Sequence, residues 1–457
     1  MRNPIFNFQL STFNAKILRL ALPSVVTNIT VPLLGLVDTA VVGHMGASEH
    51  IAAVAIGTTI FSMTYWLFGF LRMGTTGLVS QAHGAGDEAA IREGLLRGLS
   101  IGFLISAMLL LLQTPLLRFA LWLMQPEAEV ARLASDYFRV CIWGAPAMLS
   151  TYVLTGWFIG MQDTRTPMRM AILQNLLNIF FTLVFVYGFD LGVRGVALGT
   201  VVGLYAGAAF GGHRARREDM EHRARREDRG RRESVGEREQ RERSRSVWSE
   251  ASVRSVFSVF SVYIYIFLRT LCLVAVTVFF TTAGSRMGTL TLDANTLLMQ
   301  FFIVFSYFTD GLANAAEALS GEHVGKKDRA GLQATVSGLF RWGFALAFLF
   351  TIVYAAAGPW LLSLLTNQQA VTSFAIRYLP WIVAVPLVSV AAFVWDGIYI
   401  GMTLTRRMFL SMLLSAIVFF VLWFLLGPRF GNHALWLAFL SYLATRSLMQ
   451  TAFFPRR

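Results

Sequence analysis

Long apolar runs separated by short polar connections recur along the whole of this chain. A helix needs about 20 apolar residues to cross the hydrocarbon of a bilayer. Twelve runs have that character: 16–43, 51–80, 91–113, 131–160, 167–189, 193–211, 256–284, 291–320, 330–365, 372–401, 407–429 and 433–454. The pattern predicts an all-α polytopic membrane protein with twelve transmembrane helices. The first run is too long for the core of a cleavable signal peptide and lacks a small-residue cleavage site, so it is expected to remain as a span.

The runs also repeat one another at an offset of 240 to 242 residues. Met45-Gly46 recurs as Met287-Gly288, and Ser80 and His83 recur as Ser320 and His323. Gly156, Gly160, Met161, Thr164 and Arg165 recur as Gly397, Gly401, Met402, Thr405 and Arg406. Each half holds six spans, so both halves enter the membrane from the same side. Two six-helix lobes related by a pseudo-two-fold axis along the membrane normal are the expected architecture, with solute sites between or within the halves. The N-terminal lobe is expected over 1–211, a charged linker over 212–255 and the C-terminal lobe over 256–457.

Composition agrees with the pattern. Hydrophobic residues make up 55% of the 457 and charged residues 14%, against about 25% charged in soluble domains. The mean hydropathy is +0.58. Cys141 and Cys272 both fall in predicted spans and carry no redox signal. The formal net charge of +13 would suit nucleic acid, but its placement speaks for topology. Counting spans alternately leaves five basic residues on one side: Arg118, Arg132, Arg194, Arg286 and Arg429. The other side carries fourteen, among them Lys16, Arg92, Arg97, Arg165, Lys326, Lys327, Arg406 and Arg407. Lys and Arg accumulate in cytoplasmic loops, so both termini are expected in the cytoplasm of a bacterial-type plasma (inner) membrane. No nucleic-acid partner is expected.

The stretch 213–254 is unlike the rest, with 14 arginines, 10 acidic residues and a near-duplicate HRARRED. Mixed charge at that density cannot bury a core. A solvated helix or linker and an anomalous interval of sequence both remain open. The sixth span is expected to stop at Gly211-Gly212.

No phosphate loop, nucleotide-binding glycine turn, paired-cysteine site or HExxH occurs in the chain. An enzyme is therefore not expected, nor any metal or cofactor. Transport energy would come from an ion gradient, which needs titratable groups inside the membrane. Asp38 is the only charged residue from Leu20 to Gly43. A carboxylate at that depth costs roughly 2.5 to 3.5 kcal/mol and normally faces a bundle interior or water. It is a candidate proton or cation site, or else an aspartate at the outer interface. Asp310 and Glu317 lie seven apart in the eighth span, on one helical face, and Asp396 lies in the tenth. These are candidate substrate or coupling acids, with helix-end or buried structural roles as the alternatives. Arg72, inside the second span, is a candidate charge partner, or else snorkels. Gln174, Asn175, Asn178 and Thr182 on span five and Thr200 on span six supply neutral oxygens, or interhelical glue. Pro32, six residues before Asp38, permits a bend there.

The stretches LALPSVVTNITVPLLGLVDTAVVGHMG, FLRMGTTGLVSQAHGAGD, GMQDTRTPM, GVRGVALGT, TDGLANAAEALSG and WDGIYIGM resemble the multidrug and toxic compound extrusion (MATE) family, in its DinF-like branch. The resemblance covers about nine-tenths of the chain, leaving out the central loop. It implies cation-coupled antiport of organic, often cationic and aromatic, compounds, with Asp38 binding the coupling proton or Na+. Asn178 and Thr200 fall on the family's polar partners. One departure is Thr182, where many members carry a second aspartate; another is Thr155, where the family has an asparagine. A single carboxylate among hydroxyls is a poor Na+ cage, since cations want several oxygens and net negative charge. H+ is thus the favoured coupling ion and Na+ the alternative, with small organic solutes and the lipid bilayer as partners of a monomer. A lipid-linked oligosaccharide or lipid flippase is the competing reading; it would favour a basic cavity, for which Arg72 is the arginine in view. A membrane-embedded prenyl or acyl transferase would need clustered Asp or His, and a scaffold would need no intramembrane acids.

Overall fold

The computed structural model describes the backbone of residues 4–43, 48–232 and 252–455, and the side chains of 14–30, 35, 41–43, 49–221 and 260–455. Every regular element among them is a helix. The first half contains α1 (Pro4–Gly43), α2 (Ser48–Trp66), α3 (Phe70–Ala85), α4 (Glu88–Leu111), α5 (Gln113–Met124), α6 (Ala128–Cys141), α7 (Ala145–Gly160), α8 (Arg165–Leu183) and α9 (Gly192–Arg232). The second contains α10 (Ser252–Arg286), α11 (Thr289–Gly325), α12 (Arg329–Leu365), α13 (Gln369–Ile376), α14 (Leu379–Gly401), α15 (Thr405–Phe430) and α16 (Asn432–Phe453). Among the described residues nine helical stretches are long and apolar enough to cross a membrane. With α1, the stretch 128–160 and α16, they make up the twelve predicted.

Two of the spans are broken by a tight turn. A 3₁₀ turn at Leu67–Gly69 joins α2 to α3, and another at Ile142–Gly144 joins α6 to α7. Pro146, in the first turn of α7, has no N–H to continue the ladder from α6. The sixth span does not stop at Gly211-Gly212: α9 runs on to Arg232. Ion pairs one turn apart, Arg214 with Glu218 at 3.9 Å and Arg217 with Glu221 at 3.4 Å, support the polar extension. Arg92 on α4 adds a contact to Asp219 at 3.7 Å. Of the charged interval, residues 233–251 lie outside the described backbone.

The chain divides into two compact units, Met1–Asn28 with Tyr265–Arg457, and Ile29–Ile264. Both divisions fall inside helices, α1 and α10. Within each unit the sequence repeat does the same packing job. In one, a Cβ at Gly156 on α7 would collide with the carbonyl oxygen of Arg72 on α3. In the other, a Cβ at Gly397 on α14 would collide with the carbonyl oxygen of Ala313 on α11. Gly160 meets the amide N of Ser80 at 3.1 Å, and Gly401 meets that of Gly321 at 2.9 Å. Small residues at these positions let two backbones touch, which is how helices associate in lipid.

The turns repeat as well. Gly86 and Lys327 end α3 and α11 in the left-handed region, at φ of 68° and 56°. Such a residue closes a helix and redirects the chain. Asp87 and Asp328 follow them and cap α4 and α12: Asp87 accepts from the amides of Ala89 and Ala90, Asp328 from that of Gly331.

Candidate functional site

In the unit Ile29–Ile264, α9 presents Gly195, Gly199 and Gly203 four residues apart along α8. A Cβ at Gly199 would lie 2.7 Å from the Thr182 amide N, and one at Gly203 would lie 2.6 Å from the Gln174 carbonyl oxygen. The close approach seats Asn178 beside Thr200. Asn178 Nδ2 donates to Thr200 Oγ1 at 2.9 Å, and that hydroxyl donates to the Val196 carbonyl at 3.1 Å. Asn178 is 1% exposed and Thr182 is fully buried. Asn178 Oδ1 and Thr182 Oγ1 are nonetheless left without a hydrogen-bond partner among the described residues. Buried polar atoms are nearly always paired, so two orphan oxygens one turn apart on α8 form a site with unspent capacity.

Two hydrogen bonds tie α1 to this helix. Asn175 Nδ2 donates to the Thr30 carbonyl at 3.1 Å, and the Tyr187 hydroxyl donates to the Val41 carbonyl at 3.3 Å. Their sequence offsets are 145 and 146 residues, so the two segments run parallel and in register. Position 38 on α1 therefore falls level with Leu183 and Val184, directly after Thr182. There the α-helix gives way to a π-helical turn, Val184–Gly188, a feature frequent at functional sites. The side chain of Asp38 itself lies outside the described residues. Arg72 is half-buried on α3 of the same unit, its carbonyl accepting from Thr76 Oγ1 at 2.9 Å. Thr155 is half-buried on α7.

The other unit holds a second polar centre. Asp396 on α14 is 5% exposed and pairs with both Arg269 on α10 and Arg446 on α16. Gln450 Nε2 donates to its other oxygen at 2.5 Å, and the Tyr399 hydroxyl donates to the Gln450 carbonyl at 2.6 Å. Asp396 is thus the hub of an ion-pair network joining three helices. Intramembrane arginine is not confined to Arg72. Arg269 is the only charged residue of its apolar run, and Arg446 shares its run only with His433. The isolation that singles out Asp38 singles them out too.

Asp310 and Glu317 share α11 but not an environment: Asp310 is exposed, whereas Glu317 is buried where Gly401 packs on its carbonyl. A further buried acid that the sequence motifs do not mark, Glu322, accepts from Lys16 at 2.8 Å and Lys326 at 2.5 Å. Among the described residues no three His, Cys, Asp or Glu side chains are grouped so as to hold a metal ion.

A model of the MatE family matches residues 23–184 and 266–425. The chain belongs to the MatE family. This MatE chain is 35% identical over 437 residues to DNA damage-inducible protein F of Escherichia coli (strain K12), covering 96% of this chain and 91% of that one. It is 32% identical over 176 residues to multidrug resistance protein MdtK of Cronobacter sakazakii, 38% of each chain. Among solved structures, the Vibrio cholerae MATE transporter VcmN in its bent form superposes with a TM-score of 0.80 at 17% identity, covering 97% of this chain and 96% of that one. A MOP superfamily transporter from Pyrococcus furiosus does so with a TM-score of 0.79 at 16% identity, covering 96% and 95%. At such identities the likeness shows the fold, and it is the fold that the sequence motifs implied.

Proposed function

We propose that this MatE protein is an antiporter of the inner membrane that exports organic, often cationic and aromatic, compounds in exchange for protons. The observation that carries the reading is the pair of buried oxygens without partners among the described residues, Asn178 Oδ1 and Thr182 Oγ1, on the stretch of α8 that leads up to the level of position 38. At that height α8 offers neutral oxygens and a π-helical turn, with no second acid at position 182. Neutral oxygens accept from a protonated carboxyl. They are too few and too weakly negative to hold Na+ well. The multidrug resistance name of the MdtK relative supports the substrate class.

In this mechanism a proton from outside neutralises Asp38 and loosens its hold on a cationic or polar solute. The solute leaves, the protein turns inward, and the proton passes to the cytoplasm. The excess of basic residues on one side supports cytoplasmic termini. The test is efflux of fluorescent cations from proteoliposomes under imposed pH or Na+ gradients. A pH gradient should drive wild-type efflux, and Asp38→Asn should abolish it while the protein still inserts. Undiminished efflux by Asp38→Asn would overturn the assignment. A lipid or lipid-linked oligosaccharide flippase is favoured by one observation, the two buried arginines that share Asp396. It would show as lipid translocation without cation efflux.

A further inference from the structure

We infer that a groove between α10 and α15 binds an anionic phospholipid, with an acyl chain in the groove and the phosphate on Arg286 and Arg429. The groove has a volume of about 280 Å³ and is built from Ala275, Phe279 and Thr282 of α10 against Phe420 and Trp423 of α15, with Arg286 at its end. Its floor is aromatic: the Phe279 ring meets Phe420 edge-on at 5.1 Å and Trp423 edge-on at 6.1 Å. The flank of α15 beside it exposes Ile417, Val421, Phe424 and Leu425, the last two by 67% and 68%. Only hydrocarbon solvates such a surface favourably, which places the groove against lipid tails.

Charge selects the headgroup. Arg286 ends α10 and Arg429 ends α15. The two ends adjoin, since a Cβ on Gly431 would lie 3.9 Å from Met287 Sδ. Both arginines are exposed, and neither makes an ion pair among the described residues. Of the other three arginines on this sparsely basic side, two are paired, Arg132 with Glu129 at 2.6 Å and Arg194 with Asp136 at 3.1 Å, and Arg118, on α5, does not line this groove. Arg286 at the end of the apolar groove, with Arg429 ending the neighbouring helix, matches a phosphate joined to an acyl chain. Guanidinium suits phosphate through paired N–H donors.

The test is native mass spectrometry and thermal melting of the full-length protein in detergent, with phosphatidylglycerol or phosphatidylcholine of identical acyl chains. Wild type should bind phosphatidylglycerol roughly tenfold more tightly and melt higher in its presence. Arg286→Gln with Arg429→Gln should reduce that preference to parity. Both positions are exposed, so folding should survive. Ala275→Trp, which fills the groove, should weaken binding of both lipids. Equal binding of the two lipids by wild type would overturn the inference, as would an unchanged preference in the double glutamine variant. So would a melting shift from inorganic phosphate as large as that from phosphatidylglycerol, which would mean that no acyl chain is read.

Discussion

Asn178 donates its amide N–H to Thr200 Oγ1 at 2.9 Å, while its amide oxygen and Thr182 Oγ1, one turn on, have no hydrogen-bond partner among the described residues. In the proposed mechanism, these two oxygens are what a protonated carboxyl on α1 would meet.

A second acid should change the ion. Thr182→Asp adds a carboxylate to the same turn as Asn178, supplying the negative charge that a Na+ shell needs. Efflux from proteoliposomes under a Na+ gradient alone should be weak in wild type and rise several-fold in the variant. An unaltered ion preference would show that Thr182 does not face the coupling site.

The glycine contact holding α8 to α9 should be intolerant of one methyl group. Gly199→Ala would put a Cβ 2.7 Å from the backbone N of Thr182, and overpacking of this kind costs about 1–3 kcal/mol. A lower melting temperature in detergent is expected. Gly188→Ala, which meets nothing within 4 Å, serves as the control and should melt like wild type.

Asp396→Asn leaves Arg269 and Arg446 buried without a counter-charge. Breaking a buried ion pair from one side costs about 3–5 kcal/mol, so folded yield and melting temperature should fall steeply. Whatever transport survives should keep its pH dependence if Asp396 only joins helices. A shifted pH profile would instead place it in the coupling path.

The cap of α12 should give the stability a pH dependence at the acid end. The Gly331 amide and then the His323 side chain hold the Asp328 carboxyl below its usual range. A lowered acid contributes stability that is present above its unfolded value of about 3.9 and is lost as pH falls through the folded value. Asp328→Ala should cost about 1 kcal/mol at neutral pH. The gap from wild type should close as melting curves are taken toward about pH 3.

Much of the architecture was legible in order of residues alone, because lipid leaves the backbone few options. Apolar runs must become helices that satisfy their own hydrogen bonds, and the repeat of Gly156 and Gly160 as Gly397 and Gly401 marks where helices touch. A solvated helix beyond Gly212 was one of the readings the charge pattern allowed, but that it continues the sixth span without a break was not legible, since the ion pairs that extend α9 depend on which face each charge presents. Seven residues apart on α11, Asp310 and Glu317 end in different environments: Glu317 is buried where Gly401 of α14 packs on its carbonyl, and Asp310 is exposed.

What the sequence by itself determined is the class of molecule: twelve spans, two repeated halves, the MatE family, and a short roster of polar residues inside the membrane. Tertiary structure decided which of those residues meet. Register along a helix is local and can be counted, so Asn178 and Thr182 were bound to lie one turn apart. Whether their oxygens find partners depends on a neighbouring helix that comes close only because Gly199 and Gly203 let it. The same holds for Asp396, which reads as a lone acid in one run. It becomes an ion-pair hub only when α10 and α16, from distant parts of the chain, bring Arg269 and Arg446 to it.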